Sequence, residues 1–505
     1  MTSESSCVRG GLGSHLLVTI FFIMLTDPTL KAADLPHPPE PSGASLAFTS
    51  DDAIVVRACM LIEQGKLAEA EALLNQPGPG AARQEAREII ARIRAEFSLN
   101  ADGLLNRLRP SIPDISTDDL SRWTAAGQAQ SRVLDGNLFY FNREPSNIFR
   151  FCPDAIARRK VPPAPVQIWK LEDHLAQVIA EAKRTGRRQV VPVKHRVHFT
   201  ITVPTSAPGF KSGATVRAWL PFPQEYRQQG DVKLISTSPA RAFIAPSATG
   251  EYPIEGAPQR TVYFEQKVED AGKPLVFNEV FEFTSSAWYP LLDDAQAQPP
   301  PADWRGGNLN QRPPHIVFTP EIQKTVMQIV GAETNPLVKA RRIFHWVDAN
   351  IAYNAEVEYS TIRSLSTKAI TTRRGDCGVQ TMLFITMCRC AGIPARWQSG
   401  WETKRVDWNM HDWAEIYVQP WGWLPVDASY GVRKSDDPQV REFYFGHQDS
   451  YRLIVNRDYG SPLQPAKQSF RSEPLDFQRG EVEIDGKNLY FTQWKYSVKF
   501  EWVGE

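Results

Sequence analysis

Charge of one sign is what this 505-residue sequence lacks most clearly, because 57 Lys and Arg are matched by 57 Asp and Glu. A formal net charge of zero removes the overall field that draws a chain to nucleic acid or to an anionic membrane surface, so neither is expected as a partner. After residue 25 no apolar run is long enough to cross a bilayer. No segment recurs at a fixed period, which argues against a repeat array. No acidic cluster has the spacing of a calcium loop, and neither a metal nor a cofactor is expected. Cysteine is scarce, with six in the chain.

What is present is globular. Apolar residues at 42% and aromatics at 10% suffice for sizeable cores, and the length allows more than one domain. The 39 prolines cluster at 36–41, 162–165 and 298–301, which read as connectors. Arg9, an apolar run at 16–25 and the small residues Ala32 and Ala33 together resemble an export signal over 1–33, either removed or retained as an N-terminal anchor. The remainder is then secreted or periplasmic, with no membrane span once the signal is gone. Removal takes Cys7 and leaves Cys59, Cys152, Cys377, Cys388 and Cys390. An odd count in an exported protein leaves a thiol that calls for a function. Cys59 and Cys152 either bridge or stay free, and Cys388 and Cys390 read as small core residues.

The pattern along the chain predicts a multidomain α+β protein. A mainly helical domain spans 34–185, with apolar residues at three-to-four spacing from 51 to 108 and an aromatic-rich, loop-like stretch from 116 to 151. A β-sandwich is expected over 186–290, where Val193, Val197, Phe199 and Ile201 alternate with polar neighbours. His195 and His198 fall on opposite faces of that strand and cannot share a metal through it. A Pro- and Gly-rich linker covers 291–314. Helix starts then appear at Thr319-Pro320 and Asn335-Pro336 within a core expected at 315–440. A C-terminal β region covers 441–505, with a hairpin turn at Asp485-Gly486.

The chemistry concentrates around Gly375-Asp376-Cys377-Gly378. Gly375 permits a turn, Asp376 is a favoured cap, and Cys377 falls in the first turn of a helix whose apolar composition predicts deep burial. Unpaired N–H groups and the positive end of the helix dipole favour thiolate over thiol there. Asp376 opposes that effect, and Arg373 and Arg374 are placed to offset it. A thiol nucleophile needs a base, and His411 follows 34 residues later at the start of His411-Asp412-Trp413-Ala414-Glu415. A turn and a second strand then bring Val426-Asp427-Ala428-Ser429, so that Asp427 can lie beside His411 and orient it. Trp413, Trp421 and Trp423 read as packing or cleft walls.

These three ordered blocks resemble the core domain of the transglutaminase-like superfamily, and Phe344-His345-Trp346-Val347 to Ile351-Ala352-Tyr353 is similar to its entry helix and strand. The resemblance covers about 314–431. It implies a papain-like fold with Cys377, His411 and Asp427 as a catalytic triad. It also implies acyl transfer or amide hydrolysis through a thioester, with a protein or peptide as substrate. A cysteine protease of extracellular or cell-wall peptides, and a non-catalytic binding or scaffold protein on the same fold, are the alternatives. Oligomeric state is not legible in the sequence.

Overall fold

The computed structural model describes residues 45–77, 80–161, 169–240, 242–250, 254–304 and 307–503. The expected export segment 1–33, Cys7 and the connectors 36–41 and 162–165 lie outside the described residues. No helix among the described residues is long and apolar enough to cross a membrane.

The chain opens with α1 (Leu46–Thr49), α2 (Ala53–Glu63), α3 (Leu67–Leu74), α4 (Ala81–Glu96) and α5 (Ala101–Leu108). The stretch expected to be loop-like is instead α6 (Thr117–Ala125), a hairpin of β1 (Ser131–Leu134) and β2 (Asn137–Tyr140), and α7 (Glu144–Phe151). The local reason is a capping box: Ser116 Oγ accepts from the Asp119 N–H at 3.1 Å, and Asp119 returns the bond at 3.0 Å. Next come α8 (Pro153–Arg158) and α9 (Leu171–Thr185). Cys59 and Cys152 are both free thiols.

A sandwich follows, built from β3 (Gln189–Val203), β4 (Thr215–Pro221), β5 (Gln229–Ser238), β6 (Phe243–Ile244), β7 (Thr261–Lys267) and β8 (Leu275–Trp288). The core then supplies α10 (Pro320–Val330), α11 (Pro336–Asn350), α12 (Leu365–Thr372) and α13 (Cys377–Cys390). After them run β9 (Ala395–Glu402), β10 (Asn409–Val418), β11 (Gly422–Val426), α14 (Pro438–Arg441) and β12 (Arg452–Asn456). The chain closes with β13 (Glu481–Ile484), β14 (Lys487–Leu489) and β15 (Lys495–Trp502). The caps at Thr319 and Asn335 form as the sequence predicts.

The core sheet runs β11-β10-β9-β12, all antiparallel. The C-terminal β region does not stand apart. β12 edges the core sheet, β13 and β14 extend the sandwich sheet holding β4, and β15 pairs with β3. Strands as short as these cannot bury their apolar face alone and must add to a sheet that is already there. Asp485 and Gly486, with φ of 47° and 73°, make the tight turn between β13 and β14.

Helix α13 lies at the centre. Every residue from Cys377 to Arg389 is buried, with α10, α11 and α12 around it and β9 and β10 beneath. Its core continues into α2, α3 and α4, so the N-terminal helices share one hydrophobic interior with the cysteine-bearing helix. The sandwich core in turn includes Trp401 of β9 and Leu453 and Val455 of β12. His195 is buried against Phe283, stacked at 4.7 Å, while His198 faces the other side near Glu501.

Helix α7 is pinned to the segment before α12. Asn147 accepts from the Ala355 N–H at 2.7 Å and donates to the Ala355 carbonyl at 3.0 Å. Beside it, Glu144 accepts from the Gln130 N–H at 2.7 Å, and its second oxygen has no partner. Burial pushes this carboxyl up to about 8 from an ordinary 4.5. A carboxyl raised on folding stabilises the fold below its unfolded value and loses that contribution as pH climbs to its folded value. Glu144 should therefore cost stability between pH 4.5 and about 8, at up to about 1.4 kcal/mol per pH unit. Glu144→Gln keeps the acceptor for Gln130 and should flatten that slope, read as the urea midpoint against pH.

Candidate functional site

Successive side chains of a strand face opposite sides, and β10 applies this to His411 and Asp412. On one face His411 Nε2 lies 2.6 Å from Asp427 Oδ2. Asp427 also accepts from Ser429 Oγ and from the Tyr430 N–H, each at 3.0 Å, and pairs with Arg452 at 3.0 Å. Burial alone would raise the Asp427 carboxyl, but His411 and Arg452 overcome it and hold the group well below its ordinary value. Asp427 is thus a fixed anion that orients the imidazole. The rings of Trp413, at 6.0 Å, and Tyr430, at 5.2 Å, flank His411.

On the other face Asp412 meets the start of α13. The cap forms as expected, with Asp376 accepting from the Val379 N–H at 3.2 Å. Cys377 Sγ donates to Asp412 Oδ2 at 3.3 Å. Among the described residues this is the thiol's side-chain hydrogen bond, and none joins it to His411. Burial, then Asp412, then Asp376 push the thiol well above its ordinary value. Those three outweigh the helix dipole. Arg373 and Arg374 do not offset them: Arg373 pairs with Glu321 at 3.5 Å and Arg374 stacks on Phe151 at 4.0 Å.

Tyr359 ties the two acids together. Its hydroxyl lies 2.9 Å from Asp376 and 3.2 Å from Asp412, and it accepts from the Gly378 N–H at 3.1 Å. One hydroxyl proton cannot serve both carboxylates, which favours a proton on one of the acids themselves. Burial, with Glu356 next, pushes Asp376 up to about 7, and burial with Asp476 and Asp376 lifts Asp412 well above its usual range. Gly378 is required here, because a Cβ would sit 2.2 Å from the Tyr359 hydroxyl. Gln478 completes the Asp412 face, donating to its second oxygen at 2.7 Å and to the His411 carbonyl at 3.0 Å.

Cys377 and Asp412 open onto a cavity of about 360 Å³, walled also by Tyr353, Asn354, Glu473 and Arg150. His411 and Asp427 lie outside that wall. The structure therefore brings together the expected His411 and Asp427, and separately joins Cys377 to a residue that the motif reading passed over. Asp412 stood in the quoted motif, and its face follows from counting one residue past His411. Tyr359, Gln478 and Arg150 come from segments whose approach has no signal in the sequence. Among the described residues no three His, Cys, Asp or Glu side chains converge as metal ligands.

Residues 323–428 match the family model of the transglutaminase-like superfamily, which makes this segment a transglutaminase-like core within a mixed helix and sheet chain. An uncharacterised protein of Haemophilus influenzae is 27% identical over 213 residues, covering 35% of this chain and 57% of that relative. The chain thus spans little over half the length of the curated relative it matches. Among solved structures, a candidate cysteine protease from Cytophaga hutchinsonii is 19% identical with a TM-score of 0.42, covering 63% of this chain and 93% of that one. The periplasmic domain of TgpA from Pseudomonas aeruginosa is 15% identical with a TM-score of 0.24, covering 47% and 88%.

The carboxylate beside the thiol sets a clear expectation. Asp412→Asn keeps the shape and removes the like charge, so Cys377 should ionise at lower pH. Alkylation of Cys377 by iodoacetamide at pH 8, followed by peptide mass spectrometry, should be about tenfold faster than in the unsubstituted protein.

Proposed function

We propose that this chain is an exported cysteine-dependent enzyme that transfers or hydrolyses acyl groups of protein or peptide amides through a thioester on Cys377. The observation that carries the reading is the His411–Asp427 pair at 2.6 Å, one residue along β10 from the Asp412 that holds the Cys377 thiol. Nδ1 of His411 forms no hydrogen bond among the described residues, so one ring nitrogen is held and the other is free to take a proton.

In this mechanism a rearrangement at the start of β10, where His411 sits, brings the imidazole to Cys377 and it takes the thiol proton. Contacts of this kind commonly tighten only when substrate is bound. Sulfur attacks the amide carbonyl carbon, and the oxyanion meets a backbone N–H at the start of α13. His411 then gives its proton to the departing nitrogen as the carbon–nitrogen bond breaks, and Asp427 stabilises the imidazolium throughout. Water or a second amine resolves the thioester. Water makes the protein a protease or amidase, and an amine makes it a transferase. The apolar segment at 16–25 supports export.

The Cys377–Asp412 hydrogen bond favours a second reading, in which the thiol stays protonated and the core serves as a binding module. Turnover separates the two. With a library of peptides as substrate, Cys377→Ala should abolish product, and His411→Ala should lower the rate by about 10²–10⁴-fold. Full activity in either variant would sink the enzymatic reading. Adding a primary amine and weighing the products by mass spectrometry distinguishes transfer from hydrolysis.

A further inference from the structure

The cavity beside Cys377 gathers more acid than thiol chemistry requires. Asp376, Asp412, Glu473 and Asp476 all stand in its wall, from three separate stretches of chain. The direct partners of the first three are neutral: the Tyr359 hydroxyl, the Cys377 thiol, the Gln478 amide and backbone N–H groups of Val379 and Leu475. The four also act on one another, since Asp376 and Asp476 each repel charge on Asp412, and Asp476 repels charge on Glu473. Burial is the main cause that lifts Asp376 and Asp476 to about 7, and it also lifts Glu473 well above its ordinary value. Glu358 in the same wall shows the contrast. Arg479 closes on both its oxygens, one at 3.0 Å, and that carboxyl is lowered despite burial.

A second observation is independent of the acids. Asn354 is 3% exposed and lines the cavity, yet its Oδ1 has no hydrogen-bond donor. A buried acceptor left unmatched is costly. Arg143, Arg150 and Arg479 also stand in the wall, and Arg479 acts on Asp476 and Glu473, and Lys368 on Asp376, through space. Among the described residues no cation hydrogen-bonds these four carboxyls, and with an amide oxygen that lacks a donor they ask for one complement, a cation carrying several N–H groups. The acids do not converge as a metal site does, and a cavity of about 360 Å³ is the size of a small organic ligand site.

We infer that this cavity recognises an alkylammonium group on the substrate, held by Asn354 and the carboxylates of Glu473, Asp476 and Asp412 next to the attacked bond. The inference rests on Cys377 being the acyl-carrying thiol and adds the chemical class of its substrate.

Charged thiol reagents read this without any turnover. Cys377 in the full chain is modified by trimethylammonioethyl or by sulfonatoethyl methanethiosulfonate. Each rate is divided by that of free cysteine in solution. The cationic reagent should be favoured by about tenfold, and the preference should shrink toward unity in the Glu473→Gln, Asp476→Asn double variant. In the unsubstituted protein, 1,5-diaminopentane should slow modification by neutral methyl methanethiosulfonate, and pentanoate should not. Equal or reversed preference, a preference that the double variant keeps, absence of protection by the diamine, or reaction at Cys390 with none at Cys377 would each overturn the inference. Loss of the catalytic reading would appear elsewhere, as peptide turnover that survives Cys377→Ala.

Discussion

Alternation along β10 is the constraint on which the site depends. Because successive side chains take opposite faces, His411 falls with Asp427 and Arg452, and Asp412 falls with the buried start of α13. The resting thiol therefore meets a carboxylate before it meets an imidazole. A helix N-terminus favours thiolate by a modest electrostatic effect, whereas full burial and two nearby acids act in the opposite direction and prevail. What reads in the sequence as an activated cysteine is, in the resting fold, a protonated one.

The two faces differ in how their charges are balanced. Around Asp427 every acid has a cation: Arg452 bridges Asp427 and Asp449, and His411 completes the pair. Such a network holds Asp427 and Asp449 as anions and fixes their geometry. Around Asp412 the acids lean on neutral donors and on each other. That half responds to whatever charge enters the cavity. The two halves of the expected triad thus sit in different electrostatic surroundings, a cation-balanced pair behind the strand and a responsive group in front of it.

Much of the core was legible because its signals are local. Asp376 before an apolar run, Thr319 before Pro320 and Asn335 before Pro336 each announce a helix start, and all three cap as read. The pairing of His411 with Asp427 follows from two strands joined by a short turn. What stayed hidden is long-range. β5 alternates weakly through Gln229, Gly230 and Asp231, and two irregularities break its register with β8. The helices between 117 and 151 rest on a capping box inside an aromatic-rich stretch that reads as loop. No local pattern tells β15 to pair with β3 across almost 300 residues.

The same distinction explains why the cavity wall could not be read from the family motif. The motif supplies Cys377 and the strand bearing Asp412, and other regions supply the remaining wall. Arg143 and Arg150 come from around α7, which is tied down by the two hydrogen bonds between Asn147 and Ala355 and by Arg143 on the Glu356 carbonyl. Glu473, Asp476 and Gln478 come from the stretch leading into β13, which itself pairs with the sandwich. The core thus holds the thiol, while the segments around it hold most of the charge that a substrate would meet. A transglutaminase-like core with a different N-terminal helix or a different C-terminal strand connection would keep the thiol and change the cavity wall. The cavity wall in this chain is accordingly a property of how its regions close over α13, and not of the motif that first draws the eye.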